Sequence, residues 1–223
     1  MTQPSLAVCV VDTRNYQLAC EAINQTLRVL ASCHPVSRVY WISDQLCDVS
    51  FGLPTENIQI SPIEKFPLDY NRVCLSLIPK LVKEDFCLMV QTDGYACNAS
   101  AWTASFFDYD YIGAVFSPVW VPNRDHSVGN GGFSLRSRRL FLALDNLSIE
   151  PSYNNEDTEI CSRYRDVLTD RYHIKFAPES IAEQFSVEYC TNTSWLGRSF
   201  GFHGSHDIRN HYFDISKNTQ QNC

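Results

Sequence analysis

Asp93 stands three residues beyond the apolar run Phe86-Cys87-Leu88-Met89-Val90 and is followed by Gly94. A carboxylate just past the C-terminal end of a buried strand lies where open α/β sheets bind ligands. Beside a backbone-permissive glycine it can hold a divalent cation against a diphosphate through hard oxygen ligands, or simply cap the strand as an acidic turn. Glu156 and Asp157 form an acidic pair behind Asn154-Asn155, a composition that starts helices, where acids complement the macrodipole. His203, between Gly201 and Gly204, is either a histidine packed in a turn or a metal ligand.

The elements that must position these groups follow from periodicity. Leu6–Val11 is a continuous apolar run of strand length ending at Asp12-Thr13-Arg14, as expected of a central parallel strand. Asn15 opens a helix to about Ser32, with Ala19, Ala22, Ile23, Leu27 and Leu30 at helical spacing, and residues 36–43 form the next strand, ending at Asp44. A short strand at Ile58–Ile60, a helix near Tyr70–Lys83 and the strand Phe86–Val90 continue the alternation, which predicts a mostly parallel sheet covered by helices. Residues 109–116 read as another strand and Ser117–Val128 as a long loop of the kind that forms lids. The block Gly129-Asn130-Gly131-Gly132 allows a ligand to approach the backbone closely. Helical spacing resumes from the acidic pair through Ile160, Tyr164 and Leu168; Ile174–Phe176 reads as an edge strand and Phe200–Gly204 as a short extended piece. No repeat or linker divides the chain, so a single domain over residues 1–223 is expected, with a flexible polar tail after about residue 212.

With 223 residues the chain can build a full core. A net charge of −7, with only Arg136, Arg138 and Arg139 clustered, speaks against a nucleic-acid groove. The ten cysteines form no CxxC pair and fall mostly within apolar patterns, so reduced, buried thiols are expected. Sequons at Asn24, Asn98, Asn146 and Asn192 would matter only in a secreted chain. No stretch approaches the roughly 20 apolar residues of a membrane span and the start lacks a basic signal region, so no integral membrane segment and a cytoplasmic location are expected.

Taken together, Tyr109-Asp110-Tyr111-Ile112-Gly113-Ala114, the run Gly129–Ser137, Asn155-Glu156-Asp157 and Phe200-Gly201-Phe202-His203-Gly204 closely resemble a family of glycosyltransferase-like domains of unknown function, over about residues 6–210. That family is similar to the GT-A glycosyltransferases, which implies a Rossmann-like α/β/α sandwich, a nucleoside-diphosphate sugar donor (most readily a UDP-sugar) and a divalent metal. In that class a D-x-D element follows a central strand. Here it is Gln91-Thr92-Asp93, so the resemblance gives Asp93 the metal, with His203 as second ligand, and leaves Gln91 a hydrogen bond to ribose or to a metal-bound water. An imidazole ligand favours Mn2+ over Mg2+. The resemblance makes Asp157 the general base of an inverting transfer and Glu156 an acceptor-binding or orienting group. Thr13, Arg14, Asp44, Thr92 and Gly94 stand at strand ends where the class holds its nucleotide, and Gly131 and Gly132 would lie under donor sugar or acceptor. Trp102, Trp120 and Tyr153 could face a sugar ring, and Arg136 and Arg138 either a diphosphate or solvent.

The reaction these expectations describe is transfer of a sugar to the hydroxyl of a glycan, lipid-linked sugar or protein. A carbohydrate- or nucleotide-binding module that lost turnover is the alternative, because Gln91 replaces a carboxylate. A nucleotidyltransferase would need a Gly-rich, basic loop after the first strand, and Asp12-Thr13-Arg14-Asn15 does not supply it.

Overall fold

Apolar runs at residues 6–11, 38–43 and 86–90 leave no polar face for water, and each becomes a buried strand: β1 (Leu6–Val11), β2 (Arg38–Ser43) and β4 (Phe86–Val90). The computed structural model describes residues 3–117, 121, 123–188 and 197–204. β3 (Thr55–Gln59), β6 (Tyr111–Val115) and β7 (Val128–Ser137) complete a six-stranded sheet in the order β3-β2-β1-β4-β7-β6. β3, β2, β1 and β4 run parallel, whereas β7 pairs antiparallel with both β4 and β6. The strand carrying Gln91-Thr92-Asp93 at its end is therefore parallel on one side only.

Alternation along β1 sends Ala7, Cys9 and Val11 to one face and Leu6, Val8 and Val10 to the other, and both faces are covered. α1 (Tyr16–Leu30) buries Ala19, Ile23 and Leu30 on the second face, with Leu27 packed alongside. α7 (Glu179–Phe185) covers the same face through Ala182 and Phe185. The first face is roofed by α2 (Leu68–Arg72), a wide helical turn at Val73–Leu77 in which the Ile78 amide reaches Val73 O, α3 (Ile78–Leu81), α4 (Arg138–Leu147) and α6 (Arg165–Tyr172). The helix expected near Tyr70–Lys83 is thus three joined pieces.

Four elements differ from the sequence expectation. Val128, read as the end of the long loop, opens β7, and the block Gly129–Gly132 lies within that strand. Ile174–Phe176 makes only an isolated bridge, Phe176 to Tyr111. Asn15 occupies the helix start without capping by its side chain; Asp12 Oδ1 instead accepts the Arg14 and Asn15 amides. The helical run from the acidic pair is α5 (Glu156–Thr158), a wide turn at Glu159–Arg163, then α6. A second, three-stranded sheet, β5 (Gly94–Ala96), β9 (Gly201–His203) and β8 (Ser186–Val187), is invisible in the periodicity because its strands are two or three residues long. Of the expected lid, residues 117, 121 and 123–128 are described, with a helical turn at Arg124–His126; Trp120, Asn192 and the tail after about residue 212 lie outside the described residues.

Candidate active site at the end of the fourth strand

Beyond Val90 the backbones of Gln91 and Gly94 exchange hydrogen bonds of 2.9 and 3.1 Å, so Thr92 and Asp93 form the tip of a tight hairpin. β5 leaves that hairpin and pairs with β9 in a register that sets Gly94 opposite His203. This small sheet closes the long sequence gap between the two residues: His203 Nε2 lies 3.5 Å from Asp93 Oδ1, and the Gly204 amide donates to Asp93 O at 3.0 Å. Nε2 also lies 3.1 Å from Gln91 Oε1, and Nδ1 meets Glu188 Oε1 at 3.2 Å. Burial by itself would lower the imidazole pKa, but the hydrogen bonds and charges of Asp93 and Glu188 outweigh it and raise it from 6.5 to about 10.

The glycines make room for this ring. A Cβ on Gly132 would fall 2.0 Å from His203 Nε2, and one on Gly94 2.7 Å from its Cδ2. A Cβ on Gly131 would fall 2.3 Å from Glu156 Oε1. β7 can deliver these glycines because Ile112 faces Leu135 while Ala114 faces Asn130, so the segment between bulges out of register with β6.

On the other side of the bulge stand the acids of α5, both turned inward. Asp157 accepts the Gly131 amide on Oδ2 at 2.9 Å and the Thr158 amide on Oδ1 at 2.7 Å. Its pKa is raised from 3.8 to about 7, chiefly by burial and then by the charge of Glu156, with Glu188 adding to it and the two amides opposing it. Glu156 Oε1 accepts Arg136 Nη2 at 2.9 Å. Arg136 is fully buried; its Nε donates to Ser134 Oγ at 3.0 Å and its guanidinium lies 5.4 Å from the centre of the Tyr111 ring.

A cavity of about 170 Å3 joins the end of β1 to this hairpin; its lining includes Thr13, Arg14, Phe66, Tyr70, Gln91 and Thr92. Thr13 Oγ1 accepts the Ile63 amide and Arg14 Nη2 donates to Ile63 O, each at 3.0 Å, so both side chains anchor the segment after β3. Asp44 does not line the cavity: it accepts the Tyr16 hydroxyl at 2.7 Å, a bond that raises the Tyr16 pKa to about 12.

The region around this site matches a family model described as a protein of unknown function (DUF5672), over residues 66–203, more than half of the chain. The chain belongs to that family. None of the curated proteins matches the sequence significantly. Among solved structures, this DUF5672 member is similar to a glycosyltransferase involved in glycosylation of the major capsid of PBCV-1, at TM-score 0.56 and 10% identity, covering 96% of this chain and all of that one. It is similar also to a mannosyltransferase from Pyrobaculum calidifontis in complex with GDP-Man and Mn2+ (TM-score 0.52, 12% identity, 89% of this chain and 61% of that one). A third is the apo form of the glycosyltransferase GlyE of Streptococcus pneumoniae TIGR4 (0.50, 13%, 92% and 55%). At such identities the likeness establishes the fold, a GT-A-like α/β architecture, in which the DUF5672 chain spans a little over half of the latter two proteins.

Within this DUF5672 domain, then, the fold draws Gln91, Asp93, Gly94, Gly132 and His203 into one cluster and Gly131, Glu156 and Asp157 into its neighbour, with Thr13, Arg14 and Thr92 along the adjoining cavity. Gly131 and Gly132 do not offer open amides: these donate to Asp157 and to Asn130 Oδ1. Arg136 faces neither diphosphate nor solvent, since its partner is Glu156. Arg138 donates to Pro79 O and Arg139 to His173 O, away from the hairpin. Trp102 packs edge-on against Phe106, Phe107 and Phe200 rather than toward a sugar site, whereas Tyr153 is exposed. Glu188 and Tyr70 were missed; neither stands in a motif, and only their partners across the fold mark them. Among the described residues no group of three or more His, Cys, Asp or Glu side chains is placed to hold a metal, and no helix is long and apolar enough to cross a membrane.

Proposed function

We propose that this domain transfers a sugar from a nucleoside diphosphate, with a UDP-sugar the first donor to test, to a hydroxyl acceptor, with inversion at the anomeric carbon and with a divalent ion, Mn2+ before Mg2+. The observation that carries the reading is the back-to-back placement of the Asp93/His203 pair and the Asp157 carboxylate on the two consecutive glycines of the β7 bulge. Transfer develops negative charge on the departing diphosphate and requires a proton to leave the acceptor. Two such groups on either side of one bulge suit those two tasks.

The acceptor oxygen bonds to the anomeric carbon, its proton passes to Asp157, and the bond to the diphosphate breaks. A carboxylate with a pKa of about 7 is matched to that proton transfer near neutrality. Asp93 and His203 would hold the ion, which neutralises diphosphate charge. Glu156 serves as an orienting group through its pair with Arg136. Thr13, Arg14, Gln91 and Thr92 line the cavity that would take the nucleotide, with Gly94 in the hairpin beside it, and Asp44 holds the Tyr16 hydroxyl, which donates to it at 2.7 Å and lies 3.3 Å from Thr13 O.

The test is a thermal-shift and calorimetry panel of UDP-, GDP-, dTDP- and CMP-sugars, each with Mn2+, Mg2+ or chelator. Stabilisation by one nucleotide family that chelator abolishes supports the donor site; no response to any donor removes it. Gln91 in place of a carboxylate favours a second reading, a binding module without turnover, in which Asp157→Asn changes no rate because there is none to change.

A further inference from the structure

Resting on the metal-assisted reading above, we propose that Gln91 completes the ion site as a third ligand through its amide oxygen, with Tyr70 and Glu188 as the residues that orient Gln91 and His203. His203 Nε2 lies at hydrogen-bond distance, 3.1 Å, from Gln91 Oε1 and 3.5 Å from Asp93 Oδ1, so the two oxygens meet the same ring nitrogen, and an ion would enter by taking the place of these direct contacts. In an octahedral site with bonds of about 2.0–2.1 Å, neighbouring ligand atoms stand about 3 Å apart, close to the 3.1 Å between Nε2 and Gln91 Oε1 and about half an ångström shorter than the 3.5 Å to Asp93 Oδ1. Amide oxygens are ordinary ligands of hard cations.

The hydrogen bonds around these atoms point them inward. Gln91 Nε2 donates to the hydroxyl of buried Tyr70 at 2.7 Å, which turns the amide nitrogen away and leaves Oε1 facing His203. Glu188, itself buried, takes Nδ1 of His203, the arrangement that directs the other ring nitrogen of a histidine to a metal. The hairpin bonds between Gln91 and Gly94 hold Gln91 and Asp93 at the two sides of one turn. The replacement of a carboxylate by glutamine thus retains an oxygen at the site and removes one negative charge. The ion is expected to bind weakly alone and more tightly once diphosphate oxygens join it.

Mn2+ binding to the purified full chain, read by the loss of the free-ion electron paramagnetic resonance signal with and without UDP, tests this. Gln91→Leu should weaken Mn2+ binding about tenfold or more, Glu188→Gln by about 10–100-fold, and Tyr70→Phe by a smaller factor, with melting in the absence of metal recorded for each so that lost binding is separated from lost folding. Gln91→Glu, isosteric and charged, should tighten it, and serves if the leucine variant does not fold. Wild-type affinity in Gln91→Leu, alongside weakened binding in Asp93→Ala and His203→Ala, overturns the glutamine assignment and leaves the metal reading intact. Wild-type affinity in Asp93→Ala and His203→Ala, or no Mn2+ binding by the wild type even with UDP, overturns both.

Discussion

At the scale of single residues, Asp157 combines three conditions that rarely coincide: near-complete burial, an adjacent carboxylate, and a backbone amide on each oxygen. The first two favour the protonated form and the amides the ionised one, and the balance near pH 7 leaves the group able to take a proton and give it up. On the proposed transfer reaction, Asp157→Asn should abolish turnover while leaving donor affinity within about twofold, measured by turnover and calorimetry on the same preparation. In the wild type, kcat/KM should climb about tenfold per pH unit up to about 7 and level off above it, because the base must be ionised. Stability runs the opposite way. The folded-state pKa lies above the unfolded one, so the stabilising contribution is complete below about 3.8 and is lost as pH rises through about 7. Thermal melts should then show Asp157→Asn gaining on the wild type from pH 4 to pH 8; a constant difference would contradict the raised pKa.

Elements decide whether such residues meet at all. The glycines of β7 had suggested close approach of a ligand, and the approach is real, but the bodies that come close are His203 and Glu156. Gly132→Ala must push the imidazole aside or distort the bulge, which by analogy with overpacked cores costs about 1–3 kcal/mol, measurable by urea unfolding. Arg136 illustrates the converse. In Phe133-Ser134-Leu135-Arg136 the alternation marks a strand, yet nothing local says that the charged position is buried or that its counter-ion arrives from α5, twenty residues on. Arg136→Met should leave Glu156 buried without its partner and lower stability by about 3–5 kcal/mol, whereas replacing both Arg136 and Glu156 by Met and Gln should recover much of that loss. Full additivity of the two single losses would refute the coupling.

Over the whole molecule, two hydrophobic layers on either side of the sheet leave the candidate site at the C-terminal ends of the parallel neighbours β1 and β4, the edge at which open α/β sheets bind ligands. Of the eight described cysteines, all free thiols, four are buried and four only partly so, fewer buried than the sequence reading expects. A reducing agent should leave the melting temperature unchanged, and thiol titration of the folded protein should label Cys20, Cys33 and Cys47 ahead of Cys97, whose thiol pKa burial pushes well up, and of Cys9, Cys74, Cys87 and Cys161. What the amino-acid sequence determined by itself is whatever one segment records in its own periodicity: the buried runs of β1, β2 and β4, the amphipathic α1, the strand end at Asp93 and the acidic start of α5. The tertiary structure alone decided the pairings. It set His203 beside Asp93, made Glu156, a first-turn acid in the sequence, the buried partner of Arg136, and brought Glu188 and Tyr70 behind His203 and Gln91. The physical reason is that periodicity reports which face of a segment avoids water, whereas a hydrogen bond between side chains far apart in the chain depends on strand register and on where glycines let two backbones close together.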